Sequence, residues 1–148
     1  MNLQQNFMQP KNDMPQEILI DTNVLLRIIL KDDPKQLAQI TDLLEQAEAG
    51  KVNLYCKTIS IFEIIFVLSG KIYELEKVEV VEIMQTLLNI SVISFEKIEI
   101  LNESLNIYLE NNISFPDSFL IATCTLENLD FYSFDQKANK VYKKLTLK

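Results

Sequence analysis

The sequence predicts an α/β domain of three layers, α/β/α, built on a central, mainly parallel sheet of four or five strands. Two observations carry this. Short apolar runs of strand length alternate with longer segments whose apolar residues recur at helical spacing. The first run, Ile18 to Ile20, is apolar at every position, the pattern of a strand buried on both faces of a parallel sheet. At 148 residues the chain has the size of one domain and can bury a sizeable core.

Residues 1–16, "MNLQQNFMQPKNDMPQ", read as a polar, flexible leader, and residues 17–148 as the folded domain. The leader has no basic stretch followed by an apolar core, so it does not read as a signal peptide, and Met14 is an alternative start to Met1. After the first strand a brief helix is expected from about Val24. Asp33 as N-cap, Pro34 at the first position and Gln36 at the third make a capping box for a second helix that ends at Gly50. "VNLYC" is the second strand, followed by the helix "SIFEIIFVLSG" with Ser60 as N-cap, Glu63 completing a capping box, and Gly70 at the end.

Val78, Val81, Met84, Leu87 and Leu88 recur at helical spacing between Leu75 and Asn89. "SVISF" is the third strand, and Glu96 to Glu110 a helix with Ile98, Leu101, Leu105, Tyr108 and Leu109 facing inward. The loop "NNISFP" leads into the helix "DSFLIATCTLEN". "FYSF" is then the fourth strand, "DQKANKVYKKL" a short basic helix, and "LTL" a further edge strand.

Composition narrows the function. With 48% hydrophobic and 24% charged residues the chain is globular. No apolar stretch approaches the roughly 18 residues that span a bilayer. Cys56 and Cys124 sit in apolar surroundings and read as free thiols, which suits a reducing cytoplasm. There is no histidine, which removes imidazole acid–base chemistry, Ser-His-Asp and Cys-His triads and His-ligated zinc. A net charge of −7 argues against nucleic-acid binding by charge alone and favours a cation or a basic protein partner.

Four acids then stand out. Asp21 ends the first strand and Asp135 the fourth, so in a parallel sheet both lie at its carboxyl edge, where ligands of such sheets bind. Glu63 follows the second strand, and the helix that starts near Asp117 must begin at the same edge. Each acid taken alone reads as a helix cap or first-turn carboxylate, which stabilises a helix by a few tenths to about 1 kcal/mol. Taken together they repel: two carboxylates about 4 Å apart cost roughly 4 kcal/mol at an effective dielectric of 20. A hard divalent cation, Mg²⁺ or Mn²⁺, offsets that repulsion with oxygen ligands only.

"ILIDTNVLLRIILKDDP", "SIFEIIFVL", "FPDSFLIATC" and "YSFDQ" together resemble the PIN-domain ribonucleases, in particular the VapC-like toxins of toxin–antitoxin pairs. The resemblance runs from about Ile18 to the C-terminus. It implies Asp21, Glu63, Asp117 and Asp135 as metal ligands and catalytic residues, with Asn23 and Ser133 in support. Ser118 stands where the family often has alanine, and Asn139 where some members carry a further acid. The implied activity is Mg²⁺- or Mn²⁺-dependent cleavage of RNA by water, leaving 5′-phosphate and 3′-hydroxyl ends. The implied partners are an RNA substrate, a basic antitoxin protein and a second copy of the chain in a homodimer. Lys137, Lys140, Lys143 and Lys144 are either phosphate-steering groups or a solvated helix face.

Other readings remain beside it. A housekeeping RNA-processing nuclease or a catalytically inactive interaction module would keep the same fold. A phosphatase of the haloacid dehalogenase type also starts with a strand ending in Asp, but wants an acid where Asn23 stands.

Overall fold

The computed structural model describes residues 14–147, so most of the expected leader, and Lys148, lie outside the described residues. Strands β1 (Gln16–Ile20), β2 (Val52–Cys56) and β3 (Ile93–Phe95) form a parallel sheet in the order β1-β2-β3. Helices α1 (Thr22–Leu30) and α2 (Pro34–Glu48) connect β1 to β2, and α3 (Thr58–Ser69) and α4 (Lys77–Leu88) connect β2 to β3. Helices α5 (Ile98–Glu110), α6 (Phe115–Glu127) and α7 (Gln136–Thr146) follow. The α/β class and the parallel sheet are as the sequence predicts.

The register aligns Ile20, Cys56 and Phe95 in one row, so the strands end together. Asp21, Lys57 and Glu96 are therefore the next residues along the carboxyl edge. One face of the sheet, with Ile20, Leu54, Cys56, Ile93 and Phe95, is buried. It joins a core of Leu25 from α1, Ile61, Ile64 and Leu68 from α3, Val80 and Met84 from α4, and Leu101 and Leu105 from α5.

The chain departs from the sequence prediction at two strands. Residues 131–134, "FYSF", pair with no strand among the described residues. Side chains bind this segment to α7 instead: Phe131 packs on Tyr142, and the Asn139 amide donates to the Ser133 carbonyl at 2.8 Å. The residues of the expected edge strand "LTL" continue α7 through Thr146, with Leu147 as its C-cap. Among the described residues the sheet thus has three strands, with β1 and β3 at its edges.

The second face of the sheet carries Leu19, 62% exposed, together with exposed Tyr55 and Ser94. The apolar run Ile18 to Ile20 is therefore buried on one face only. The reason lies in where the last helices pack. Ile100 and Ile107 of α5, Ile121 and Ala122 of α6, and Ala138 and Val141 of α7 form a second, separate core.

The helix starts show what local sequence decides and what it does not. The Asp33 carboxylate accepts from the Gln36 N–H at 3.0 Å, as expected of the α2 N-cap. At α3 the expected Ser60–Glu63 capping box is absent, because the helix begins three residues earlier, at Thr58 with Lys57 as N-cap. Its N-cap residue, Lys57, offers no side-chain cap. The group that serves comes from the end of β3: Glu96 accepts from the Thr58 N–H at 3.4 Å and from the Lys57 ammonium at 2.8 Å.

That arrangement has a pH signature. Hydrogen bonds from Lys57 and Thr58 hold the Glu96 carboxyl below its usual range. A carboxyl held below its unfolded value contributes stability above that value, and the contribution is lost as pH falls through the folded one. Glu96→Gln should therefore lower the melting temperature at neutral pH, and the gap from the parent should close in acid. Melting curves across pH 7 to 3 (about the range in which carboxylates titrate) measure it; a gap independent of pH would contradict the account.

Candidate active site

The carboxyl edge opens into a cleft of about 780 Å³. Asp21, Thr22 and Asn23 enter it from the start of α1, Glu63 and Phe66 from α3, Tyr108 from α5, and Ser114 to Pro116 from the start of α6. Most of this lining is apolar, and the two acids are its charged groups.

Asp21 is the N-cap of α1. Its Oδ1 accepts from the N–H groups of Asn23 at 3.1 Å and Val24 at 3.3 Å. Both bonds fall on the same oxygen, and among the described residues Oδ2 accepts none. Glu63 lies beyond the first turn of α3, where no free backbone N–H remains for it to cap. Its Oε2 accepts a 2.6 Å hydrogen bond from the Thr22 hydroxyl, and Oε1 accepts none among the described residues. Thr22 thereby couples the residue after Asp21 to Glu63, across 41 positions of sequence.

Asp117 and Asp135 are placed differently. Ser114 caps α6 by accepting from the Asp117 N–H at 3.2 Å, which leaves the Asp117 carboxylate outside the cap. Asp117 lies one residue past the stretch of α6 that lines the cleft, but does not itself line it. Asp135 caps α7, its Oδ1 accepting from Lys137 at 2.9 Å and Ala138 at 3.1 Å. The Asp135 N–H in turn donates to the Ser133 hydroxyl at 3.0 Å.

The structure therefore brings Asp21 and Glu63 into one cleft with Asn23, and does not gather all four acids. Among the described residues no group of three or more Asp, Glu or Cys side chains is close enough to hold a metal ion. The expected convergence placed Asp135 at the end of a fourth parallel strand; "FYSF" pairs with no strand among the described residues and is tied to α7 instead. Each of Asp21, Glu63 and Asp135 spends one oxygen on local structure and keeps the other.

The donor set fits a hard cation. Mg²⁺ typically retains several waters and takes only one or two carboxylates besides substrate phosphate. The two carboxylates of the cleft meet that demand. Other expected participants have plain structural duties. Buried Ser118 donates to the Ser114 carbonyl at 2.9 Å, and Asn139 holds the turn at Ser133. Both cysteines are free, and burial pushes the Cys56 thiol up to about 11, which makes it a core residue and a poor nucleophile.

Thr22 was not singled out by the sequence, although it lies inside "DTN" between two residues that were. Its role depends on a partner in α3. The aromatic lining of the cleft was equally hidden, since Phe66 and Tyr108 meet there only after folding.

No helix among the described residues is long and apolar enough to cross a membrane. No curated protein and no solved structure matches the chain. Residues 18–144 match the family model of the PIN domain, a nuclease fold that typically uses divalent metals, and the chain belongs to that family.

Proposed function

We propose that the chain is a Mg²⁺- or Mn²⁺-dependent endoribonuclease, and that it is the toxin of a toxin–antitoxin pair, like the VapC-like proteins its motifs resemble. One observation supports the reading above others: Asp21 and Glu63 open into the same cleft, each with an oxygen not used by the fold. A divalent cation, when bound, supplies a water of lowered pKa and stabilises charge on the phosphoryl oxygens. Asp21 and Glu63 would hold it, with Asp117 and Asp135 as the outer acids of the same site.

The protein's own part is to keep these oxygens in place. The Asn23 and Val24 N–H groups fix the Asp21 carboxylate, and the Thr22 hydroxyl fixes that of Glu63. No step calls on histidine, which the chain lacks.

RNA cleavage in Mg²⁺ or Mn²⁺ should stop in excess EDTA, and the products should carry 5′-phosphates. Undiminished cleavage in EDTA would overturn the metal mechanism. The partner assignments are a basic antitoxin, whose Arg or Lys side chain reaches the two carboxylates, and a second copy in a homodimer. Antitoxin binding should inhibit cleavage and weaken with salt. Purification from the native operon without any small basic partner would count against the toxin role.

That two acids rather than four share the cleft favours one second reading, a PIN-fold interaction module without catalysis. Metal-dependent cleavage, present or absent, separates the two.

A further inference from the structure

We propose that α7 and the segment before it form a second contact surface, outside the cleft, that grips a single strand of RNA away from the cut. Tyr132 and Phe134 stack on its bases, and Lys137, Lys140 and Lys143 meet its phosphates. That the ligand is RNA rests on the ribonuclease reading; the surface does not.

The segment 131–134 lies along α7. Phe131 packs on Tyr142 at 5.5 Å, and the Ser133 carbonyl accepts from the Asn139 amide at 2.8 Å. Tyr132 and Phe134 take no part in this packing: they stand 86% and 91% exposed, and belong to neither core. The two rings touch edge-on at 5.7 Å and leave their outer faces in water. None of residues 129–147 lines the cleft of Asp21 and Glu63. Two large rings held in water are of no use to the fold.

A stripe of cations adjoins them. Residues 129–147 carry four lysines against two acids, in a chain whose net charge is −7. At about 100° per residue, Lys137, Lys140, Lys143 and Lys144 fall within an arc of roughly 120° on α7. Its Lys143 end lies about 40° round the helix from Asn139, the residue that holds the ring-bearing segment. The helix end accounts for only part of this stripe. Lys143 and Lys144, in the last turn, are favoured by the helix dipole, and Lys144 donates to the Asn111 side-chain oxygen at 2.7 Å. Lys137 stands in the first turn, where the dipole opposes a cation, and Lys140 at mid-helix. Lys137, Lys140 and Lys143 have no carboxylate partner among the described residues.

Cations beside open rings select among polyanions. An acidic protein would use the lysines and leave the rings idle. A duplex hides the faces of its bases. A single strand offers phosphates and unpaired bases together, and each base has a face that stacks on an aromatic side chain. The rest of this acidic chain repels RNA, so a local basic surface is what holds the strand.

The test is binding of oligouridylate to the full chain in EDTA, followed by fluorescence anisotropy, with polyglutamate as competitor. Phe134→Ala should weaken binding about fivefold or more, and Phe134→Trp should restore it. Lys137→Ala and Lys140→Ala should each lower the steepness of the salt dependence by roughly 0.7. Polyglutamate should compete poorly. Phe134 is exposed, so melting should be unchanged in its variants. In Mn²⁺, Phe134→Ala should raise KM for a cleaved single strand and leave kcat as it is, because the rings stand outside the cleft.

Parental cleavage, with binding and KM unchanged in Phe134→Ala and both lysine variants, would overturn the surface and leave the nuclease standing. Binding that depends on these residues, without any cleavage, would keep the surface and overturn the nuclease. Neither binding nor cleavage would overturn both. Polyglutamate that competes as well as RNA would make the surface a dock for an acidic protein and overturn the inference. A loss confined to kcat in Phe134→Ala would place the ring at the reacting centre and overturn it too.

Discussion

Glu63→Gln should leave the folded protein as stable as the parent and reduce RNA cleavage tenfold or more. Glutamine keeps the shape of the side chain, and its amide oxygen still accepts the 2.6 Å bond from the Thr22 hydroxyl. The helix start is untouched, because α3 begins at Thr58 and Glu63 caps nothing. The substitution therefore removes one negative charge from the cleft and little else. If that charge contributes about 1.4 kcal/mol to the transition state, the rate falls tenfold. Single-turnover cleavage in Mn²⁺ beside thermal melting measures both. A stable variant that cleaves RNA at the parental rate would remove Glu63 from the site.

Leu25→Ala should cost about 2–5 kcal/mol of stability, the usual range for a buried leucine truncated to alanine. Leu25 is the one fully buried side chain of α1, at 0% exposure. It anchors the helix that presents Asp21, Thr22 and Asn23 to the cleft. For a domain whose total stability is ordinarily about 5–15 kcal/mol, the loss is a large fraction. Cleavage should fall as well, because α1 loses its hold on the core while Glu63 keeps its own. Leu25→Met conserves volume and should cost less than about 1.5 kcal/mol. Denaturant unfolding of the two variants decides; equal stability of both would mean that Leu25 does not anchor α1.

Where a residue's partner is close in sequence, the fold was legible. Asp33 and Pro34 mark the start of α2, and the bounds of β2 follow from "VNLYC" alone. Where the partner is remote, it was not. Ser60 with Glu63 satisfies the local pattern of a capping box, yet α3 starts earlier because Glu96, 38 residues from Thr58, meets its first N–H. "FYSF" has the aromatic composition of a strand, but Phe131 and Ser133 are engaged by Tyr142 and Asn139 of α7. The acids themselves could be picked out because carboxylates near strand ends are expensive unless something positive meets them. Which of them share a cleft depends on strand pairing and helix packing, which spacing alone does not encode.

Mn²⁺ titration into the full chain, with free Mn²⁺ read by electron paramagnetic resonance, tests the central claim most directly: Asp21 and Glu63 are the metal-holding pair. Asp21→Asn retains a good helix cap and Glu63→Gln retains the Thr22 bond, so both variants should fold. The wild type should show saturable binding, and each variant should lose it by about tenfold or more, the effect of some 1.4 kcal/mol. Binding of wild-type strength in both variants, or none in the wild type, would contradict the account.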